Sequence, residues 1–173
     1  MLDTKRHRVG VELTNELKKS ISIGQVAKLF DKLLSSLNRE GQTYEVTVVP
    51  SEDALDRILG IDRLDSVLIV LKRPNPGDHH EKDAEKILRE LHEQNVKEER
   101  HKFLRQSGTD GIHLNGDNLV RAEVASVNGY VDGAGLENEV HVHRSTKEYP
   151  KIITRAVSQG VTFLRALRDE MKR

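Results

Sequence analysis

The stretch Ala125-Ser126-Val127-Asn128-Gly129-Tyr130-Val131-Asp132-Gly133 decides the fold, because a helical pattern ends within it and a strand begins. Its Asn-Gly pair accepts a positive backbone φ at little cost, so the chain can change direction at a fixed residue. The chain then returns through a second predicted strand, which is loaded with His, Arg and Lys. We therefore predict a helix over Asn118–Val127 and a β-hairpin of Tyr130–Ala134 with Glu139–Arg144.

The rest of the chain alternates extended and helical patterns. A capping box of Ser22 and Gln25 starts the clearest helix, which continues to Gly41. Val96–Arg105 is charged on both faces, which favours a position at a sheet edge. The other predicted strands are Arg6–Leu13, Tyr44–Val49 and Leu64–Leu71, and the other predicted helices are Ser51–Leu59, Glu81–Asn95 and Pro150–Lys172.

This order of elements predicts an α+β fold. The first four strands and their helices follow the order of a ferredoxin-like split β-α-β sheet, to which a C-terminal β-hairpin and helix are added. We expect residues 1–106 to form the split β-α-β unit. Residues 107–173 would supply the helix, the hairpin and the terminal helix, packed on that unit as one domain.

Composition excludes several classes of protein. The 173 residues include no cysteine, which rules out a thiolate nucleophile and cysteine-ligated metals and fits a reducing compartment. No apolar run approaches the ~20 residues of a membrane span, so we expect a cytoplasmic protein without a membrane partner. Lys plus Arg (28) equals Asp plus Glu (28), so nucleic-acid binding would require a local patch. Aromatic residues are only 3%, which argues against sequence-specific base-stacking platforms.

Six segments, taken in order, resemble domain-of-unknown-function family 4747 over about residues 2–150. They are Leu2-Asp3-Thr4-Lys5-Arg6-His7-Arg8, Gln25-Val26-Ala27-Lys28-Leu29-Phe30, Arg63–Asp78, Leu91-His92-Glu93-Gln94-Asn95, Ser126-Val127-Asn128-Gly129-Tyr130-Val131 and Arg144-Ser145-Thr146-Lys147-Glu148-Tyr149-Pro150. The resemblance implies that this chain corresponds to the C-terminal portion of longer members. It also implies a genomic setting near mobile elements and phage-defence genes. In layout the fold is similar to the phage Rex exclusion protein, a DNA-associated sensor. The family has no established catalytic residue.

Cations on two predicted strands are candidates for a phosphate-binding surface. They are Lys5, Arg6 and Arg8 on the first strand, and Arg100, Lys102 and Arg105 on the edge strand. In a split β-α-β sheet these strands are neighbours, so the six side chains could share one face and bind phosphates in a salt-dependent way. The alternative is a solvated edge whose cations pair with nearby glutamates.

The second hairpin strand supplies further candidates: His141, His143, Arg144 and Lys147. His141 and His143 point the same way from a strand, so they could contact phosphate or ligate one metal ion. Neither a metal nor a cofactor is predicted, because a third ligand would have to come from a distant segment. Ser145-Thr146-Lys147 could bind an anion, or could simply end the strand and cap the next helix.

Three hypotheses for function follow. The first is a non-enzymatic component that binds or senses DNA or RNA in a phage-defence or mobile-element system, and that self-associates or joins a partner protein of a defence operon. The second is a nuclease-like effector that uses His141, His143 and Lys147 as a phosphate site. The third is a subunit that makes only protein-protein contacts. We expect the first, and we expect that no enzyme activity accompanies it.

Overall fold

The computed structural model describes residues 2–3, 8–11, 20–36, 46–72 and 82–152. The chain divides into two compact units, Met1–Val48 together with Ile152–Arg173, and Val49–Lys151. The boundary predicted between residues 106 and 107 falls within the second unit. The predicted terminal helix beyond Ile152 lies outside the described residues. Within the described part, no helix has the length and apolar character needed to cross a bilayer.

The first unit contains a short strand pair and a helix. β1 (Leu2–Asp3) pairs antiparallel with β2 (Arg8–Val9), and α1 spans Ile23–Ser36. The predicted capping box is confirmed: Ser22 Oγ accepts a hydrogen bond from the Gln25 N–H, and Gln25 Oε1 accepts one from the Ser22 N–H, each at 3.2 Å. These reciprocal bonds satisfy backbone donors that a helix start leaves unpaired, so they fix where α1 begins.

The second unit is a four-stranded antiparallel sheet with helices, so the α+β fold is confirmed. Its elements are α2 (Ala54–Leu59), β3 (Arg63–Lys72), α3 (Lys82–Glu93), β4 (Glu98–Leu104), α4 (Gly116–Val127), β5 (Gly129–Glu137), β6 (Val140–Ser145) and a 3-10 helix (Thr146–Glu148). The strand order is β4-β3-β5-β6. The predicted edge position of the charged strand and the predicted hairpin are both present in this sheet.

The ferredoxin-like split arrangement is not confirmed. Of residues 8–11, the described part of the first predicted strand, Arg8–Val9 pairs with β1. Residues 46–49 of the second predicted strand form no strand. Pro50 instead makes an isolated antiparallel bridge with Pro150. The residues after the two prolines supply its hydrogen bonds: the Ser51 N–H donates to the Tyr149 carbonyl oxygen at 2.7 Å, and the Lys151 N–H donates to the Val49 carbonyl oxygen at 2.8 Å.

The helices of the second unit pack on one face of the sheet, which we call the helix face. Val67, Ile69 and Leu71 of β3 are fully buried there in one cluster with residues from all three helices. The members contributed by the helices are Leu55, Ile58, Ile87, Leu88, Leu91, Ala122, Val124 and Ala125. Since side chains alternate along a strand, Ser66, Leu68 and Val70 of β3 belong to the opposite face.

A two-residue turn closes the β5–β6 hairpin. Glu137 and Val140 are the last paired residues, and Asn138 and Glu139 between them have φ values of 49° and 66°. Positive φ at both positions is typical of a type I′ turn, whose twist matches that of the paired strands. The Asn138 N–H also donates to Asp62 Oδ2 at 2.8 Å, which ties the hairpin tip to the loop before β3.

Candidate nucleic-acid interface

The strand register places several predicted cations on the face opposite the helices. Arg100 and Tyr130 both pair with Val70, and Lys102 pairs with Leu68. Directly paired residues point to the same side of a sheet, so these side chains share the face of Leu68 and Val70. By the same pairing, His143 of β6 lies opposite Ala134, and His141 opposite Leu136. We call this surface the basic face, defined by Arg100, Lys102, Tyr130, His141, His143 and Lys147.

Tyr130 occupies the middle of the basic face between two cations. The Lys147 Nζ lies 3.1 Å from the centroid of its ring. On the other side, the hydrogen bond from Arg100 to Glu98 raises the pKa of the Arg100 guanidinium, and the Tyr130 hydroxyl contributes in the same direction. A cation over an aromatic ring is attracted by the ring quadrupole. In the order of the strands, Tyr130 lies between Arg100 of β4 and Lys147. Val70, which separates Arg100 from Tyr130, is fully buried.

The backbone around Lys147 is held by its neighbours. Ser145 forms a capping box with Glu148 at the start of the 3-10 helix. The hydroxyl of Thr146, which is buried, accepts a hydrogen bond from the Val131 N–H at 3.1 Å. Ser145 and Thr146 thus end the strand and cap the 3-10 helix, whereas the predicted helix after Pro150 continues outside the described residues. Their bonds connect the segment that carries Lys147 to the strand that carries Tyr130.

Among the described residues, Arg100, Arg105 and Arg144 have carboxylate partners. Arg100 Nε lies 2.5 Å from Glu98 Oε1, and Arg105 Nε lies 2.5 Å from Asp65 Oδ1. Arg144 pairs with a glutamate of β5 across the hairpin. The exposure of these side chains differs: Arg100 is 64% exposed, whereas Arg105 is 21% exposed and Arg144 is 24% exposed. Arg100 is therefore the one of the three that solvent and a ligand can reach most readily.

The other predicted site residues of the second unit are exposed. The side chains of Lys102, His141 and His143 make no ion pair or hydrogen bond within the described part of the chain. Their positions alternate with the helix-face residues of β4 and β6. Asp132 lies on the same face, in register with Leu68 and Ser145. Its carboxylate opposes the cations, so the positive charge of this surface is concentrated at its two edges.

The cations of the first predicted strand do not belong to the second unit. Lys5 and Arg6 lie outside the described residues, and Arg8 belongs to the first unit, where it is paired with Asp3 along the backbone. The predicted convergence of these cations with the edge strand stays a prediction. Among the described residues, no group of three or more His, Cys, Asp or Glu side chains could hold a metal ion.

The sequence did not predict a cluster of polar and charged side chains that lies on the helix face. Glu99 Oε1 accepts a hydrogen bond from His101, and Arg121 Nη1 of α4 lies 3.4 Å from the same oxygen. This Nη1 atom is buried and makes no hydrogen bond in the described part, so its link to Glu99 is Coulombic. The pattern of the edge strand put Glu99 and His101 on one side, but nothing in it indicated a partner on a later helix.

We predict that the free energy of unfolding of the second unit falls at acid pH because of the Asp65 carboxylate. Hydrogen bonds from Arg105, and secondarily from Arg63, hold the pKa of Asp65 below its usual value. A lowered folded-state pKa stabilises the fold above the unfolded pKa, and this contribution is lost as pH falls through the folded pKa. Between about pH 5 and pH 2 we expect the wild type to lose more free energy of unfolding than Asp65→Asn, measured by urea denaturation. Parallel pH profiles for the two proteins would contradict this prediction.

Comparison with known proteins gives a family and no further relatives. No curated protein and no solved structure matches the chain. The similarity in layout to the Rex exclusion protein therefore finds no support. The family model described as Domain of unknown function (DUF4747) matches residues 1–172, essentially the whole chain. The six segments that resemble this family all lie within the match, and the chain belongs to the DUF4747 family.

Proposed function

We propose that this protein is a non-enzymatic component that binds or senses nucleic acid in a phage-defence or mobile-element system. The observation that carries the proposal is the position of the Tyr130 ring between Lys147 and Arg100 on the basic face. Phosphates are the common anions of DNA and RNA, and positive side chains on one surface supply most of the affinity for them. The genomic setting rests on the family resemblance, as does an association with a second copy or an operon partner.

The ion pair of Arg100 does not prevent this role. An exposed pair such as Arg100–Glu98 contributes little to stability, because water screens both charges. A phosphate can therefore replace Glu98 at little cost. Lys102, two residues along the same face, needs no such exchange. Because the net charge of the chain is zero and Asp132 lies on the same face, we expect binding to be weak at high salt.

The alternative is an effector that cleaves phosphoesters. Two exposed imidazoles, those of His141 and His143, project from the same face of β6, and this placement suits contact with one phosphodiester. Incubation of purified protein with end-labelled DNA and RNA, with and without Mg²⁺ and Mn²⁺, separates the two functions. Cut strands would support the alternative, and intact strands in retarded complexes would support the proposal.

Removing the two edge cations should weaken binding. For the double variant Arg100→Ala with Lys102→Ala, we expect lower affinity for a labelled oligonucleotide and a flatter dependence of log K on log salt. Each lost phosphate contact reduces that slope by about 0.7 for single strands and about 0.9 for duplexes, so two contacts change it by roughly 1.4–1.8. Gel-shift titrations at several salt concentrations measure both quantities.

A matched control removes the same charge elsewhere. Lys86 and Arg89 are exposed on α3, which packs on the helix face. Their double alanine variant should bind like the wild type if the basic face is the interface. Equal losses in both double variants would show a nonspecific charge effect. Absence of any binding by the wild type at low salt would refute the proposed function.

A further inference from the structure

We infer that an extended acidic segment of a partner protein adds to the sheet beside β4 as a fifth strand. β4 is an outer strand, because the strand order is β4-β3-β5-β6. An outer strand has one row of backbone N–H and C=O groups without a partner in its sheet, and an extended peptide can pair with such a row. The inference concerns a protein partner, so it goes beyond the nucleic-acid binding proposed above.

The strand register identifies the backbone groups of β4 that point away from β3. The Arg105 N–H, directly after β4, donates to the Asp65 carbonyl oxygen at 2.9 Å. In an antiparallel pair, residues that bond to the neighbouring strand alternate with residues whose backbone groups point outward. The register from Arg105 back through β4 has no shift, so the N–H and C=O groups of Arg100, Lys102 and Leu104 point outward. We call these groups the β4 edge.

The residues of the β4 edge are open to solvent. The Arg100 side chain is 64% exposed, Leu104 is 69% exposed, and Lys102 is also exposed. Within the described part of the chain, no residue outside the sheet makes a hydrogen bond to the backbone of these three residues. An added strand would therefore meet exposed side chains and backbone donors and acceptors that have no partner among the described residues.

The side chains along the β4 edge disfavour pairing with a second copy of β4. Positions two apart in a strand point the same way, so Arg100, Lys102 and Leu104 share the basic face. In an antiparallel pair of two copies, each register that joins the two edges over five or more residues of β4 places basic side chains directly opposite each other. The facing pairs are Arg100 with Arg100, Arg100 with Lys102, or Lys102 with Lys102. Like charges directly opposite each other destabilise paired strands.

An acidic segment replaces this repulsion by attraction. Two acidic residues at alternate positions of an antiparallel segment would lie opposite Lys102 and Arg100, and an apolar residue two positions earlier would lie opposite Leu104. A guanidinium has five N–H donors, so Arg100 can keep its bond to Glu98 and bind a second carboxylate. The segment that fits the β4 edge therefore has the pattern apolar-x-acidic-x-acidic, where x faces the helix side of the sheet.

Peptide binding to the full chain tests the charge preference. The probe is the fluorescein-labelled, amidated peptide Ser-Val-Thr-Glu-Thr-Glu-Ser, and the control peptide has Lys in place of both Glu residues. Anisotropy titrations are made in 0.1 M salt, where exposed charges more than about 10 Å apart are largely screened. Opposite charges in place of like charges at two facing positions should make the acidic peptide bind about fourfold or more tightly than the basic one.

A charge reversal in the protein should reverse this preference at one position. Lys102→Glu should weaken binding of the acidic peptide by about two- to 30-fold and strengthen binding of the basic peptide by a similar factor. Lys86→Glu makes the same change of charge on the exposed surface of α3, and it should leave both affinities unchanged. Circular dichroism of each variant checks that it is folded.

N-methylated peptides test the backbone contacts separately. Methyl groups on the two Glu nitrogens block the N–H groups that face the β4 edge, whereas methyl groups on the two Thr nitrogens block N–H groups that face away from the sheet. The first change should weaken binding by about five- to 150-fold, and the second should change it by less than about twofold. Equal effects of the two methylation patterns, equal affinity for the acidic and basic peptides, or an unchanged affinity of Lys102→Glu would overturn the inference. Failure of the wild type to bind the acidic peptide would also overturn it, while the oligonucleotide titrations decide the proposed function independently.

Discussion

Replacing Gly129 with alanine is expected to lower the free energy of unfolding by about 3–5 kcal/mol, a large share of the total stability of a domain. Gly129 has φ +155°, and a Cβ atom there would lie 1.9 Å from the carbonyl oxygen of Val70. That oxygen belongs to the backbone of the neighbouring strand, so it cannot move aside as a flexible side chain could. The estimate adds backbone strain of about 1–3 kcal/mol to a steric cost of similar size.

Urea denaturation of Gly129→Ala and wild type, followed by far-UV circular dichroism, measures the loss. Gly24 provides the control, because it has no atom within 4 Å of an added Cβ and lies in α1. Gly24→Ala should leave stability unchanged or raise it by up to about 1 kcal/mol, since alanine is the better helix former. A Gly129→Ala protein within 1 kcal/mol of the wild type would show that β3 and β5 can separate locally, contrary to the prediction.

The sequence predicted the features that depend on neighbouring residues. The Asn128-Gly129 pair marked the change from α4 to β5, and Gly129 indeed has the φ that only glycine adopts readily. The Ser22–Gln25 capping box and the polar edge strand were equally readable, because a cap spans one helical turn and an edge strand shows its own polarity. The hairpin was predictable for the same reason, since its two strands are adjacent in sequence.

The features that could not be predicted are contacts between segments that are distant in sequence. Alternation in Arg6–Leu13 predicts a strand but carries no information about its partner, so the order of strands did not follow from it. The pairing of Arg105 with Asp65 joins residues 40 positions apart. The sequence identified Arg105 as a cation without showing the carboxylate beside it. In the same way, the sequence placed Tyr130 in a hairpin but did not show its neighbours across the sheet. The register and the contact with Lys147 place it between Arg100 and Lys147 in the order of the strands.

The Arg144 side chain makes hydrogen bonds within the second unit, so we expect its replacement to lower stability strongly. Arg144 pairs along the sheet with Gly133, on the helix face. Its Nη1 donates to the carbonyl oxygen of Arg57 at 2.8 Å, and its Nη2 donates to Glu137. The Arg57 carbonyl is one of the last in α2, where a helix leaves carbonyls without partners. Arg144 therefore caps α2 and ties it to the hairpin.

We expect Arg144→Met to lower the free energy of unfolding by about 2–3 kcal/mol, because the change leaves the Arg57 carbonyl and the Glu137 carboxylate without their donor. Oligonucleotide affinity and its salt slope should stay unchanged, measured at a temperature where the variant is folded. His143→Ala, one residue earlier on the opposite face, should show the reverse pattern: stability within about 0.5 kcal/mol of the wild type and weaker binding. A flatter salt slope for Arg144→Met would place Arg144 in the interface, because only a cation that contacts phosphate contributes to that slope.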